Sequence, residues 1–121
     1  MGLSEDLFHK TVSISSTEFN DRIKLLIKDF LAVSQKPEIY VFGSVARNTA
    51  TNNSDLDILI VIPENEDYKK VQSHFYQLRT KNQFGVDLVF VSKTIFDKKN
   101  TTLLQTIDDE LKQVYPHWNL N

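Results

Sequence analysis

The chain has no cysteine, three glycines, three prolines and one tryptophan, and neither sign of charge dominates. Each shortage excludes something. Without cysteine there are no disulfides and no thiolate metal sites, and an oxidising compartment would add nothing, so cytoplasmic residence is the default expectation. The 14 basic residues against 16 acidic ones leave a net charge of −2, which argues against a protein that neutralises many phosphates along a nucleic-acid backbone. No apolar run approaches the ~20 residues needed to cross a bilayer, and the opening MGLSEDLFHK has no apolar signal core. Linkers rich in Gly and Ser, low-complexity tracts and internal repeats are all missing.

What is present is an ordinary globular composition, 40% hydrophobic and 25% charged over 121 residues, enough for one buried core. The expectation is a single domain over residues 1–121, with 1–14 as an N-terminal extension and 116–121 as a C-terminal tail. Pro37, Pro63 and Pro116 stand where periodic segments stop.

Periodicity supplies the elements. Ser15 and Glu18 have capping-box spacing, and Phe19, Ile23, Leu26, Ile27, Phe30 and Leu31 follow at helical intervals, so a first amphipathic helix is expected to end near Ser34. Glu38 to Phe42 reads as a short strand. Leu56 to Ile62, LDILIVI, reads as a longer one that is apolar at both parities and must be covered on both faces. Asn65 is placed to cap a helix carrying Tyr68, Val71, Phe75 and Leu78, with Glu66 and Asp67 in its first turn. Val86 to Val91 is a third strand, and Leu104, Ile107, Leu111 and Val114 have the spacing of a final helix. The order helix, strand, short helix, strand, helix, strand, helix gives an α/β (α+β) fold, a small mixed β-sheet covered by helices.

Against that background two aspartates are out of place. Asp55 and Asp57 head the most hydrophobic strand and, two residues apart, project from the same face, while Leu56 and Ile58 enter the other. Like charges held together near a core require a cation, hydrogen bonds or a proton. A hard divalent ion such as Mg2+ meets that need with oxygen ligands. Asp87 repeats the anomaly between Val86 and Leu88. If the third strand pairs beside the second, the three carboxylates can hold two ions for in-line displacement at phosphorus. The two internal glycines, Gly43 and Gly85, each adjoin a strand end beside these acids. Gly43 permits positive φ or close backbone approach, and Ser44 opens a short helix whose free N–H groups can receive phosphate.

Gly43-Ser44, ten intervening residues and Asp55-Leu56-Asp57 resemble the G-S-x10-D-x-D signature of the DNA polymerase β-like nucleotidyltransferases. Within that superfamily the chain is similar to the minimal nucleotidyltransferase proteins, from about Phe19 to Tyr115. The resemblance implies a nucleotidyltransferase in which Gly43 and Ser44 hold the triphosphate, Asp55 and Asp57 bind the metals, and Asp87 helps to activate the attacking hydroxyl. It further implies two Mg2+ ions, with Mn2+ as a substitute, and ATP or another NTP as donor. The acceptor implied is a hydroxyl on a helical HEPN-type partner protein, which some minimal members modify with AMP as antitoxins. Where the family often has A-R-G, this chain has Ala46-Arg47-Asn48; asparagine tolerates the left-handed backbone that the turn needs.

Arg47 is a secondary candidate for phosphate contact, and Ser54 for orienting the D-x-D turn beside the nucleotide. His9, His74 and His117 lack metal-ligand spacing. Lys69, Lys70, Arg79 and Lys81 read as the solvated face of the third helix. Tyr115 and Trp118, in the tail, are expected either to pack back on the domain or to anchor a partner. Two other functions stay open: a catalytically weak module that neutralises a partner by binding it, and a nucleotidyltransferase subunit acting on a small molecule or RNA.

Overall fold

The computed structural model describes residues 16–51, 53–81 and 85–120. The first helix, α1 (Ser16–Leu31), buries Phe19, Ile23, Leu26 and Phe30 along one stripe, the spacing that its apolar residues dictate. The expected Ser15 cap and His9 lie outside the described residues, as do the side chains of Leu78, Arg79 and Lys81.

Strand β1 (Glu38–Phe42) runs into a one-turn helix, α2 (Gly43–Ala46). Strand β2 (Leu56–Ile62) follows, then α3 (Tyr68–Lys81) and β3 (Val86–Ser92). Two short helices, α4 (Lys93–Lys98) and α5 (Thr102–Ile107), lead through a 3-10 turn at Asp108–Glu110 to a fourth strand, β4 (Lys112–Tyr115). Ser92 caps α4 by accepting the Ile95 N–H, and Thr101 caps α5 by accepting that of Leu104. The sheet order is β3-β2-β1-β4: β2 and β3 are parallel, and β1 is antiparallel to both β2 and β4.

Three sequence expectations need correction. The apolar positions Leu104, Ile107, Leu111 and Val114 do not share a helix: α5 ends at Ile107, and Val114 belongs to β4. Three consecutive acids, Asp108, Asp109 and Glu110, oppose the helix dipole at that end. The edge of β1 gains a partner when Lys112–Tyr115 is extended, with Tyr40 opposite Gln113 and Val41 opposite Lys112. The cap of α3 is Asp67, whose Oδ1 accepts the Lys70 N–H at 3.2 Å. Asn65 instead lies in a turn closed by the Glu66 N–H on the Pro63 carbonyl. Neither Glu66 nor Asp67 is therefore in the first turn; Glu66 accepts the hydroxyl of buried Ser34 at 2.7 Å.

Both faces of β2 are covered, as its unbroken apolar run requires. On one face Leu56, Ile58, Ile60 and Ile62 pack with residues of α1 and α3. There the Phe75 ring lies 4.5 Å from Phe30 and 5.5 Å from Phe90. On the other face Leu59 and Val61 pack with Val91, Phe96, Leu104 and Ile107. The short helices α4 and α5 thus cover the far end of that second face. Tyr115, the last residue of β4 and not part of the tail, packs against the main core; in the tail Leu120 is buried, while Trp118 is partly exposed with the Lys24 ammonium 5.4 Å above its ring. No helix among the described residues is long and apolar enough to cross a membrane.

Candidate active site

The topology gathers the candidate residues at one end of the sheet. The parallel strands β2 and β3 start there, which sets Asp57 opposite Asp87 in register. Antiparallel β1 finishes there, with Phe42 opposite Asp57, and so delivers Gly43 beside the same carboxylate. By strand alternation Asp57 and Asp87 share the face of Leu59, Val61 and Val89, beyond the reach of the short helices. Asp57 is half-buried, while Asp55 and Asp87 are exposed.

Sterics explain the glycines. Gly43 has φ 73°, and a Cβ there would collide with Asp57 Oδ2. A Cβ on Gly85 would likewise collide with Asp55 Oδ1. Asn48 takes φ 62°, so the turn that the family often builds with glycine is made here by a residue whose short polar side chain tolerates that region. Ser54 holds the loop before β2: its Oγ accepts the Thr51 N–H at 2.9 Å, and its own N–H donates to the Thr51 carbonyl at 3.0 Å. Its hydroxyl orients the turn that presents Asp55. Among the described residues the Ser44 hydroxyl has no partner, and its carbonyl accepts the Thr49 N–H at 2.9 Å.

The electrostatics are those of an uncompensated acidic cluster. Burial pushes the Asp57 carboxyl up to about 6, assisted by the charge and hydrogen bonding of Asp87 and then by the charge of Asp55, with Arg47 opposing. As placed, no three acidic, histidine or cysteine side chains among the described residues are close enough to enclose an ion. The close pair is Asp57 with Asp87, and Asp55 stands beside Gly85. This donor set still fits a hard cation, because it is all carboxylate and carries negative charge that no neighbouring group fully neutralises.

Arg47 is exposed but paired. Its Nη1 donates to Glu110 Oε2 at 2.8 Å, while Glu110 Oε1 accepts the Gly43 N–H at 3.0 Å. The hydrogen bond from Arg47, foremost, holds the Glu110 carboxyl below its usual range; burial opposes it, and the Gly43 N–H and the Arg47 charge add to the lowering. Nothing in the sequence marks Glu110: it lies 63 residues from Arg47 in a stretch whose spacing reads as helix. His74 and His117 are not drawn into the cluster.

The arrangement can bind an anion at Gly43-Ser44 and a cation at the carboxylates, side by side. Comparisons with known proteins identify the family. The profile described as "Nucleotidyltransferase domain" matches residues 23–114. No curated protein matches the chain. Among solved structures, a candidate nucleotidyltransferase from Sulfolobus solfataricus is 22% identical with a TM-score of 0.53, over 71% of this chain and 81% of its own. A toxin-antitoxin structure with AMP-PNP is 28% identical with a TM-score of 0.52, over 79% of this chain and 71% of that one. Cid1 in complex with its short product ApU shares the fold at 20% identity and a TM-score of 0.50, over 87% of this chain but 37% of its own. With the profile spanning most of the chain, from the middle of α1 into β4, this protein belongs to the nucleotidyltransferase domain family.

Proposed function

We propose that this protein is an Mg2+-dependent nucleotidyltransferase that moves AMP from ATP to a hydroxyl on a helical HEPN-type partner protein, as an antitoxin-like module. The observation that carries the reading is the seating of Asp57 against Gly43 and opposite Asp87, which sets a glycine-serine turn beside a carboxylate pair. Asp55, Asp57 and Asp87 would hold the cation; Gly43 and Ser44, with Arg47, would take the triphosphate. When bound, the cation supplies charge neutralisation at the triphosphate and at the leaving pyrophosphate.

The chain's own groups do the rest by positioning. The Ser44 N–H and hydroxyl orient the β- and γ-phosphates, since the Gly43 N–H is taken by Glu110. Asp87, on the strand beside Asp57, would accept the proton of the incoming hydroxyl. The acceptor oxygen bonds to the α-phosphorus, the bond from that phosphorus to the α,β-bridging oxygen breaks, and pyrophosphate leaves with the electron pair.

Two facts support a protein acceptor and ATP as donor. The toxin-antitoxin structure of similar fold contains AMP-PNP, and a near-balanced charge of −2 suits a protein surface better than an extended polyanion. The test uses ATP labelled at the α-phosphate, Mg2+ and the protein encoded beside this one. Label is expected on the neighbour, with pyrophosphate released and none transferred when the label is at the γ-phosphate. A stable complex of the two proteins with no label from any of the four nucleotides would overturn the reading in favour of a non-catalytic binding module.

A further inference from the structure

Glu110 reaches into the site from the 3-10 turn before β4 and touches both ends of α2. Its two oxygens are divided between the Gly43 N–H at 3.0 Å and Arg47 Nη1 at 2.8 Å. Phe42, at the N-cap of α2, provides no side-chain bond. One of the orphan donors that open every helix is therefore satisfied by a carboxylate 67 residues away, in a contact made by the tertiary fold alone.

We propose that Glu110 is a positioning residue of the nucleotide site, which fixes the Gly43-Ser44 turn and holds the Arg47 guanidinium beside it to receive the triphosphate. This rests on the reading of the site as one for nucleotidyl transfer. Both Glu110 oxygens are committed to the turn and to Arg47, so the carboxylate frames the cradle and does not fill it. The Ser44 hydroxyl stays unpartnered among the described residues, and the Arg47 side chain, 53% exposed against 23% for Glu110, has N–H groups left to donate. A planar guanidinium held by one carboxylate in this way is pre-organised for a second anion.

The position of Arg47 also matters to the acids. It lies close enough to Asp57 for its charge to bear on that carboxyl. Released from Glu110, a guanidinium beside an uncompensated acidic cluster would turn toward the carboxylates and neutralise charge that a cation needs. A partly exposed ion pair contributes little to stability by itself, so the loss of Glu110 should appear in binding and not in folding.

The experiment titrates Mg2+ with inorganic tripolyphosphate, ATP or AMP into the wild-type chain and into Glu110→Ala, and records melting temperature and steady-state transfer. Expected are affinities for tripolyphosphate and ATP weaker by about tenfold, the scale of one lost charge-assisted contact. AMP affinity and melting temperature should stay near the wild-type values, and KM for ATP should rise more than kcat falls. In the Glu110→Ala background, Arg47→Ala should cause little further loss, because the pair acts as a unit. Tighter triphosphate binding would mean that Glu110 plugs the site, and equal losses for AMP and ATP would mean a general structural role; either result overturns the proposal, as does unchanged binding. A wild-type chain that binds no triphosphate would instead remove the nucleotide reading itself, and this inference with it.

Discussion

The carboxylate of Asp57 occupies the space that a side chain on Gly43 would need. A Cβ there would meet Oδ2 and lie 3.0 Å from Cγ, and the backbone at φ 73° already disfavours anything but glycine. Gly85 and Asp55 repeat the relationship, with the Cβ position 2.9 Å from the Asp55 Cγ. Each internal glycine is thus a seat for one aspartate of the D-x-D pair.

The seats differ in a way that can be measured. Gly43→Ala combines left-handed strain, roughly 1–2 kcal/mol, with displacement of Asp57, so it should lower the melting temperature by several degrees and abolish transfer. Gly85 is not in the left-handed region, so Gly85→Ala should melt closer to wild type yet still lose transfer through Asp55. Full activity in Gly85→Ala would show that Asp55 does not need its seat.

The raised pKa of Asp57, about 6, makes the metal-free protein sensitive to pH. Its folded value lies above the unfolded ~3.9, so the native state holds the extra proton between about pH 4 and 6. Stability contributed by the protonated group is therefore present at low pH and falls as pH rises through that window. After allowance for solvent screening at this half-buried site the loss should be of the order of 1 kcal/mol. Asp57→Asn should flatten that slope, melt at or above wild type near neutral pH, and transfer no nucleotide. Denaturation midpoints at several pH values in chelator provide the measurement, and a slope that persists in Asp57→Asn would shift the effect to another group.

Asp87 is the largest charged contributor to that shift, after burial. In Asp87→Asn the like charge is gone, so the Asp57 carboxyl should titrate at lower pH than in wild type, as followed by its carbonyl 13C resonance without metal. An unchanged titration would mean that burial alone sets it.

Phe75→Ala tests the packing that holds α3 on the sheet. The ring is fully buried between Phe30 and Phe90, and its removal should cost ~3–5 kcal/mol in denaturant unfolding. A much smaller loss would indicate that the helix collapses into the gap.

The sequence by itself determined three strands, two long helices and the placing of two aspartates at the head of β2. An apolar run at both parities, as in LDILIVI, has to be a strand covered on both faces, and an aspartate at each of two positions flanking Leu56 has to share one side of it. These inferences rest on local periods, which the backbone enforces whatever the rest of the chain does. The tertiary structure alone decided the segment after Ile107 and the cap of α3. Leu111 and Val114 keep helical spacing, but the unpaired edge of β1 and three successive acids draw the chain into β4. Asn65 could cap a helix, but the Pro63–Glu66 turn uses it up and passes the cap to Asp67. Glu110 is the clearest case: no period or motif connects it with Gly43 and Arg47, because its position depends on β4 pairing with β1, a contact between segments some 70 residues apart that only the folded sheet brings together.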